Sequence, residues 1–217
     1  MEKILVAGAT GATGNKIIHL LKESQYFEPV AMVRSEHQKA KFNAMGVGTL
    51  HKDLTRSLEG TTAGIDKLIF AAGSGGKNLE EVDKNGAIKL IDNAAKHKVK
   101  KFVMLSSMGA DHPEQVKELQ DYLEAKQAAD QHLRDSGLNY TIVRPGSLTE
   151  EPGTKHVMLD AKLRKQGEIS RADVAHTLVS VLFDNTANQA TFEIVKGETL
   201  IGEALEQFES VEEYERI

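Results

Sequence analysis

Two residues one helical turn apart offer proton chemistry. In the stretch Tyr122-Leu123-Glu124-Ala125-Lys126 the phenol and the ammonium are spaced i and i+4, which puts them on one face of a helix. A free tyrosine titrates near pH ~10, and a cation held beside it stabilises the phenolate, so a proton can pass close to neutrality. The plainer reading of the same spacing is a surface Tyr–Lys packing pair. A second set offers a place to hold phosphate rather than a reacting group: Gly8, Gly11 and Gly14, three apart, with Thr10, Ala12 and Thr13 between them. One glycine makes a tight turn, one lets a pyrophosphate approach the backbone, and one lets a helix pack closely on a strand.

These groups need elements to position them. The apolar run Ile4 to Ala7 leads into the glycines, and Ile17, Ile18, Leu20 and Leu21 follow at helical spacing. Strand, glycine turn and helix start imply a dinucleotide site, with bare N–H groups and the positive helix end facing the phosphates. A magnesium-nucleotide loop does not fit, because Lys16 does not directly follow Gly14 and Ile17 stands where a hydroxyl should hold the metal. Val30 to Val33 reads as the second strand, with Arg34 behind it. An acid in that region suits a ribose 2′-hydroxyl and an arginine suits a 2′-phosphate, so NADP is expected ahead of NAD. Ser35, His37 and Lys39 stand close enough to share the site, and an exposed charge at a helix start is the alternative for Arg34.

Further along, Glu36 to Met45 predicts a helix stopped by Gly46, and Val47 to His51 a short strand. Leu68 to Ala72 reads as a buried strand ending in Gly73 and a GSGG loop. Leu79 to Lys96 predicts a long helix, Phe102 to Leu105 a strand, and Glu114 to Ser136 an uninterrupted helix closed by Gly137. Tyr140 to Val143 is the next strand. Ser147 to Gly167 reads as irregular, a helix is expected from Ser170 to about Phe183, and Thr191 to Val195 as the last strand. A short helix from about Ile201 and an acidic tail complete the order. Strands alternating with helices argue an α/β fold, a single Rossmann-like domain over 1–217 with a doubly wound parallel sheet and helices on both faces.

The GxxGxxG turn resembles that of the atypical and extended short-chain dehydrogenase/reductases (SDRs), and the resemblance covers nearly the whole chain. Its nearest group is the small NAD(P)-binding proteins labelled NAD(P)-dependent epimerase/dehydratase, with NmrA-like and biliverdin/flavin-reductase-like kin. The resemblance implies that Asp53-Leu54 faces the adenine ring, although Asp53 suits a helix cap equally well. It also implies that Ala71-Ala72-Gly73 lies beside the cofactor and that Arg144-Pro145-Gly146 shapes the nicotinamide pocket. Ser107, with Ser106 as the close alternative, falls where these enzymes keep the serine that orients the reacting oxygen. Tyr122 is then the acid/base, and Lys126 holds the cofactor ribose and tunes the tyrosine. Asp83 departs from the family's usual asparagine, and is either part of the proton relay or an exposed helix charge. The implied activity is hydride transfer to a small carbonyl, quinone or flavin-like substrate, beneath a covering segment at about 146–170. The alternatives are a non-catalytic NADP-binding sensor and a sugar epimerase or dehydratase, the last disfavoured by the little chain beyond Pro145.

Composition narrows the rest. The chain has 217 residues, 40% hydrophobic and 27% charged, ordinary for a globular domain. It has no cysteine, which excludes a thiolate nucleophile and Cys-ligated metal, and its histidines show no paired spacing, so no metal is expected. A net charge of −5 argues against nucleic acid as the main partner. The basic run Lys96 to Lys101 reads as a solvated connection. No apolar run has the length of a membrane span and no leader is evident, so a cytoplasmic monomer or homodimer is the expectation.

Overall fold

Alternation along the first strand sets the layers. In β1 (Glu2–Ala7), Ile4 and Val6 point to one side and Leu5 and Ala7 to the other, all fully buried. A strand apolar on both sides must lie between two layers of helices. The computed structural model describes the backbone of residues 1–215 and the side chains of residues 1–208, and Arg216 and Ile217, the end of the expected acidic tail, lie outside it.

After β1 come α1 (Ala12–Glu23), β2 (Phe27–Val33), α2 (Glu36–Ala44), β3 (Gly48–His51) and β4 (Lys67–Phe70). Then follow α3 (Asn85–Lys96), β5 (Lys101–Leu105), α4 (Gln120–Asp135), β6 (Tyr140–Pro145), β7 (Ser147–Thr149), β8 (His156–Asp160) and β9 (Glu168–Ser170). The chain ends through α5 (Arg171–Ser180), β10 (Ala190–Lys196), β11 (Thr199–Leu200) and α6 (Ile201–Glu215). Among the described residues one sheet has the order β11-β8-β10-β6-β5-β4-β1-β2-β3, and β7 pairs with β9 apart from it. From β3 to β10 the neighbours run parallel, with Leu5 opposite Val30 of β2 on one side and Leu68 of β4 on the other. One face packs on α1, α5 and α6 through Ile17, Leu21, Leu178 and Leu205, and the other on α3 and α4 through Leu90, Ile91, Ala129 and Leu133. This is the expected Rossmann-like α/β fold. The chain runs outward through β2 and β3, then returns to lay β4 on the other side of β1, so the crevice for a ligand opens at the carboxyl ends of β1 and β4.

Four expectations are corrected. The segment 147–167 is not wholly irregular: β8 joins the sheet antiparallel to β10, because Val157 and Leu159 alternate inward. Gly197 permits the close return, since a Cβ there would lie 2.2 Å from the Met158 nitrogen. The helix carrying Tyr122 starts at Gln120 rather than Glu114. Pro113–Gln115 and Lys117–Leu119 form separate 3₁₀ turns around an extended Val116, since Lys117, Glu118 and Leu119 offer no buried face to continue a helix. The helix expected from Leu79 opens with a π-helical stretch, Leu79–Lys84, before α3. Finally, Lys101 is not a solvated connection: it opens β5, 1% exposed, with its ammonium on Thr186 O and Asn188 Oδ1.

Candidate functional site

The glycine turn is built by backbone contacts that leave no room for side chains. Gly8 sits at φ +87°, where a Cβ would lie 2.5 Å from the Ala72 nitrogen, so β1 and the end of β4 touch here. A Cβ on Gly14 would lie 2.1 Å from the Gly8 oxygen, so only glycine lets α1 descend onto β1. The Gly11 N–H donates to Gly8 O at 3.0 Å, and Gly11 N-caps α1 with no side chain on the first N–H groups and no acid in the first turn. An uncapped helix end of this kind attracts an anion.

The turn opens into a cavity of ≈ 400 Å³. Of the residues singled out by sequence, Gly8, Thr10, Gly11, Arg34, Asp53, Leu54, Ala71, Ala72 and Gly73 line it. Ala12, Thr13 and Gly14 stand behind the turn, and Pro145 and Gly146 lie outside. A larger open groove, ≈ 790 Å³, runs between β8 and α6 and contains none of them. The glycine turn and the switch point both face the smaller cavity, which makes it the candidate dinucleotide site. A cradle made of absent Cβ atoms and free helix N–H groups fits a pyrophosphate.

Arg34 follows β2 and is exposed. Its N–H donates to Gln38 Oε1 at 2.9 Å, and its guanidinium has no ion pair among the described residues. Asp53 is not a helix cap. Its Oδ1 accepts from the Thr55 N–H at 2.9 Å and the Thr55 hydroxyl at 2.8 Å, a side-chain turn that the Thr55 N–H, helped by Arg34, holds below the usual carboxylate range. Sequence reasoning missed Gln38, Lys52, Thr55, Lys77, Asn78 and Val82 as lining residues. Lys52, one before Asp53, and the GSGGKN loop were within reach of it; Gln38 depends on the turn of α2.

Tyr122, Lys126 and Asp83 come together on the other side of β4. The Lys126 ammonium, 3% exposed, stands 5.6 Å from the Tyr122 ring centre, donates to Leu105 O at 3.3 Å, and lies 3.9 Å from Asp83 Oδ1. Asp83 projects from the π-helical stretch and is 1% exposed, so it is not a surface helix charge. Its Oδ2 accepts from the Ser74 N–H at 3.0 Å, its Oδ1 has no hydrogen bond, and a Cβ on Gly73 would reach that Oδ1 at 3.3 Å. The triad therefore stands against the Ala72–Ser74 wall of the cavity. Tyr122 is half-buried, and its hydroxyl makes no hydrogen bond among the described residues.

The two serines at the end of β5 differ. Ser106 is buried, its hydroxyl donating to Asp130 Oδ2 at 2.8 Å, whereas Ser107 is half-buried and donates only to Met108 O at 3.2 Å. Ser107 is the one left accessible. Pro145 closes β6, and its carbonyl accepts the Met108 N–H at 3.0 Å. A Cβ on Gly146 would lie 2.2 Å from Gly167 O, so glycine is required there by the returning chain. No cluster of three or more metal-ligating side chains occurs among the described residues, and no helix among them is long and apolar enough to cross a membrane.

Fold and cradle define a Rossmann-like protein built to bind a nicotinamide dinucleotide. The chain belongs to the NAD(P)H-binding family, whose profile matches residues 8–185. It is similar to the uncharacterized sugar epimerase YhfK of Bacillus subtilis (strain 168), 39% identical over 213 residues, covering 94% of this chain and 99% of the relative. It is also similar to sanguinarine reductase of Eschscholzia californica, 30% identical over 257 residues, covering 96% and 94%. Among solved structures, the oxidoreductase ylbE from Lactococcus lactis matches with a TM-score of 0.86 at 32% identity, covering 96% of this chain and 97% of that one.

Proposed function

We propose that this protein is an NADP-dependent oxidoreductase of the atypical SDR type, acting on a small carbonyl, quinone or flavin-like acceptor. The observation that carries this reading is the Tyr122–Lys126–Asp83 triad against the wall of the dinucleotide cavity. A module that only held the cofactor would have no use for a tyrosine hydroxyl without a partner beside a buried cation.

When bound, reduced nicotinamide would supply a hydride, two electrons with one hydrogen nucleus, to the acceptor. Tyr122 gives its proton to the acceptor heteroatom: with an aldehyde or ketone the C=O π bond becomes a C–H and an O–H bond, with a quinone or flavin both hydrogens end on heteroatoms, and in each case the tyrosinate left behind is stabilised by the ammonium of Lys126. Ser107 donates a hydrogen bond to the same atom and orients it. Asp83 keeps Lys126 and the Ser74 end of the loop together. Lys126, with spare donors beyond Leu105 O, holds the ribose hydroxyls. Arg34 takes the 2′-phosphate as a planar fork, and Lys52 stands on the same cavity. The segment 146–170 covers the acceptor.

Two relatives carry reductase or oxidoreductase names, which supports this choice. The epimerase name of the Bacillus subtilis relative favours a second reading, a sugar epimerase. Against it, the described residues beyond Pro145 go into β8, β10 and β11 of the sheet and into α5 and α6 packed on it.

The test is NADPH consumption over a panel of quinones, flavins, aldehydes and ketones, with NADH as control. Turnover that prefers NADPH is expected. Epimerisation of a nucleotide sugar without net cofactor consumption replaces this reading with the second. Tight NADPH binding with no turnover on any acceptor moves the protein to the sensor class.

A further inference from the structure

One face of α4 carries three polar residues at i, i+4 and i+8: Tyr122, Lys126 and Asp130. Lys126 and Asp130 address different levels of the strand ends. Lys126 holds the carbonyl of Leu105, the last residue of β5. Asp130 is 0% exposed and uses a single oxygen, Oδ2, for three hydrogen bonds: from the Ser106 hydroxyl at 2.8 Å, from Arg144 Nε at 3.1 Å and from Arg144 Nη2 at 2.9 Å. Its Oδ1 is buried without a partner. Arg144 is itself 5% exposed, and its Nη1 lies 3.8 Å from Asp111 Oδ1. Burial pushes the Asp130 carboxyl up, against the pull of Arg144 and Ser106. A buried arrangement that leaves one carboxylate oxygen unpaired is costly, and a well-packed apolar group would hold a helix on a sheet without that cost. Something other than adhesion is served by it.

We propose that Asp130 is a positioning residue for the reaction: it clamps the ends of β5 and β6 to α4, so that Ser107 and the Pro145 turn are held in register with Tyr122. Ser106 precedes Ser107 directly, and Arg144 precedes Pro145 directly, so the clamp grips the neighbour of the serine proposed to orient the acceptor and the neighbour of the turn that ends β6. The two strand ends are already tied to one another by the Ser106 N–H to Val143 O and the Met108 N–H to Pro145 O. What those backbone bonds do not fix is their joint setting against the helix, and Asp130 supplies that. The clamp extends outward through Asp111, whose Oδ2 meets Lys162 at 2.6 Å, and Lys162 lies 3.1 Å from buried Glu193 Oε1. It therefore reaches the return 161–167 that closes over Gly146. The inference rests on the reading that Ser107 and Tyr122 act together.

The test uses Ser106→Ala, which cuts one leg without burying a charge, and Asp130→Asn, which keeps the shape. Two readouts are taken: turnover of NADPH with a quinone, and amide hydrogen exchange at Met108, whose bond to Pro145 O reports the register of the strand ends. A displacement of about 1 Å at reacting groups costs up to about 10²-fold in rate, so kcat should fall about 10-fold in Ser106→Ala and further in Asp130→Asn. The Kd for NADPH should stay within about twofold, since the cradle is untouched, while Met108 exchange quickens and amides of β1 do not change. Added to Ser107→Ala, Ser106→Ala should cost nothing more, because it acts through that residue. Unchanged Met108 exchange, or a loss that adds in full on the Ser107→Ala background, overturns the proposal. Quickened exchange with turnover insensitive to Ser107→Ala and Tyr122→Phe leaves the clamp standing and removes the catalytic reading instead.

Discussion

Buried lysines stand at both ends of the sheet and are treated differently. At the amino ends of the strands, Lys67 meets Leu182 O at 2.8 Å, Asp184 Oδ1 at 2.5 Å and Glu2 Oε2 at 2.7 Å, and Lys101 meets Thr186 O and Asn188 Oδ1. These cations close the end of α5 and the loop behind it, and Lys67 has no donor to spare. At the carboxyl ends, Lys126 is as deeply buried, yet among the described residues it makes one hydrogen bond, 3.3 Å long, beside a carboxylate 3.9 Å away whose nearer oxygen has no hydrogen bond there. A buried cation saturated by protein oxygens reads as structure, and a buried cation with donors to spare and a carboxylate beside a cavity make a functional-site candidate.

The sharpest way to break this comparison is to exchange the two lysines for methionine. Lys126→Met should lower NADPH turnover by about 10²- to 10⁴-fold, the usual worth of assisted proton transfer. Lys67→Met should leave turnover per folded molecule within about twofold, and cost about 2–3 kcal/mol in urea unfolding for its lost charged hydrogen bonds. Equal effects of both on activity would abolish the distinction. Next in size is the cradle itself. Gly14→Ala sets a Cβ against Gly8 O, so α1 must shift, and the Kd for NADPH, read by fluorescence titration, should rise at least about 10-fold.

A smaller effect is expected at the ribose end. Arg34→Ala should weaken NADPH by about 10- to 30-fold, the worth of one charge-assisted contact, while NADH affinity hardly moves. Equal weakening of both cofactors would show that Arg34 does not read the 2′-phosphate. The smallest effect lies in pH. The Lys67 hydrogen bond holds Asp184 below the usual carboxylate range, and the Lys3 N–H, with Lys100, does the same for Asp66. A carboxyl depressed in the folded state adds stability above its unfolded value near pH ~3.9 and loses it as pH falls through the lowered value. Asp184→Asn should therefore flatten the acid limb of the stability curve. Asp184 is 76% exposed and screened, so the change is under about 1 kcal/mol at neutral pH. Acid denaturation curves of the two proteins decide it.

The strands around the crevice were legible because continuous apolar runs such as Leu68 to Phe70 have no other use in a chain of this composition. The cradle was legible because glycine at three fixed spacings has a single backbone meaning. What sequence hid was tertiary. Lys101 looks like any surface lysine until the Thr186 carbonyl is brought to it by α5, which lies far along the chain. Val157 and Leu159 alternate over too few residues to announce β8, and only pairing with β10 makes it a strand. Asp83 read equally well as an exposed charge, because nothing local signals the π-helical stretch that turns it inward. Ser106 and Ser107 were not separable from spacing, since the difference between them is Asp130, on another helix.

The central claim is that the hydroxyl of Tyr122 moves a proton in step with hydride transfer. The most direct measurement is a single turnover with NADPH deuterated at nicotinamide C4, comparing wild type with Tyr122→Phe on whichever acceptor the panel identifies. The account predicts an isotope effect in wild type, deuterium retained on the product carbon where the acceptor is an aldehyde or ketone, and a rate about 10²-fold or more lower in the variant at unchanged NADPH affinity. Label transferred at the wild-type rate by Tyr122→Phe would contradict it, leaving a cofactor site that needs no acid from this chain.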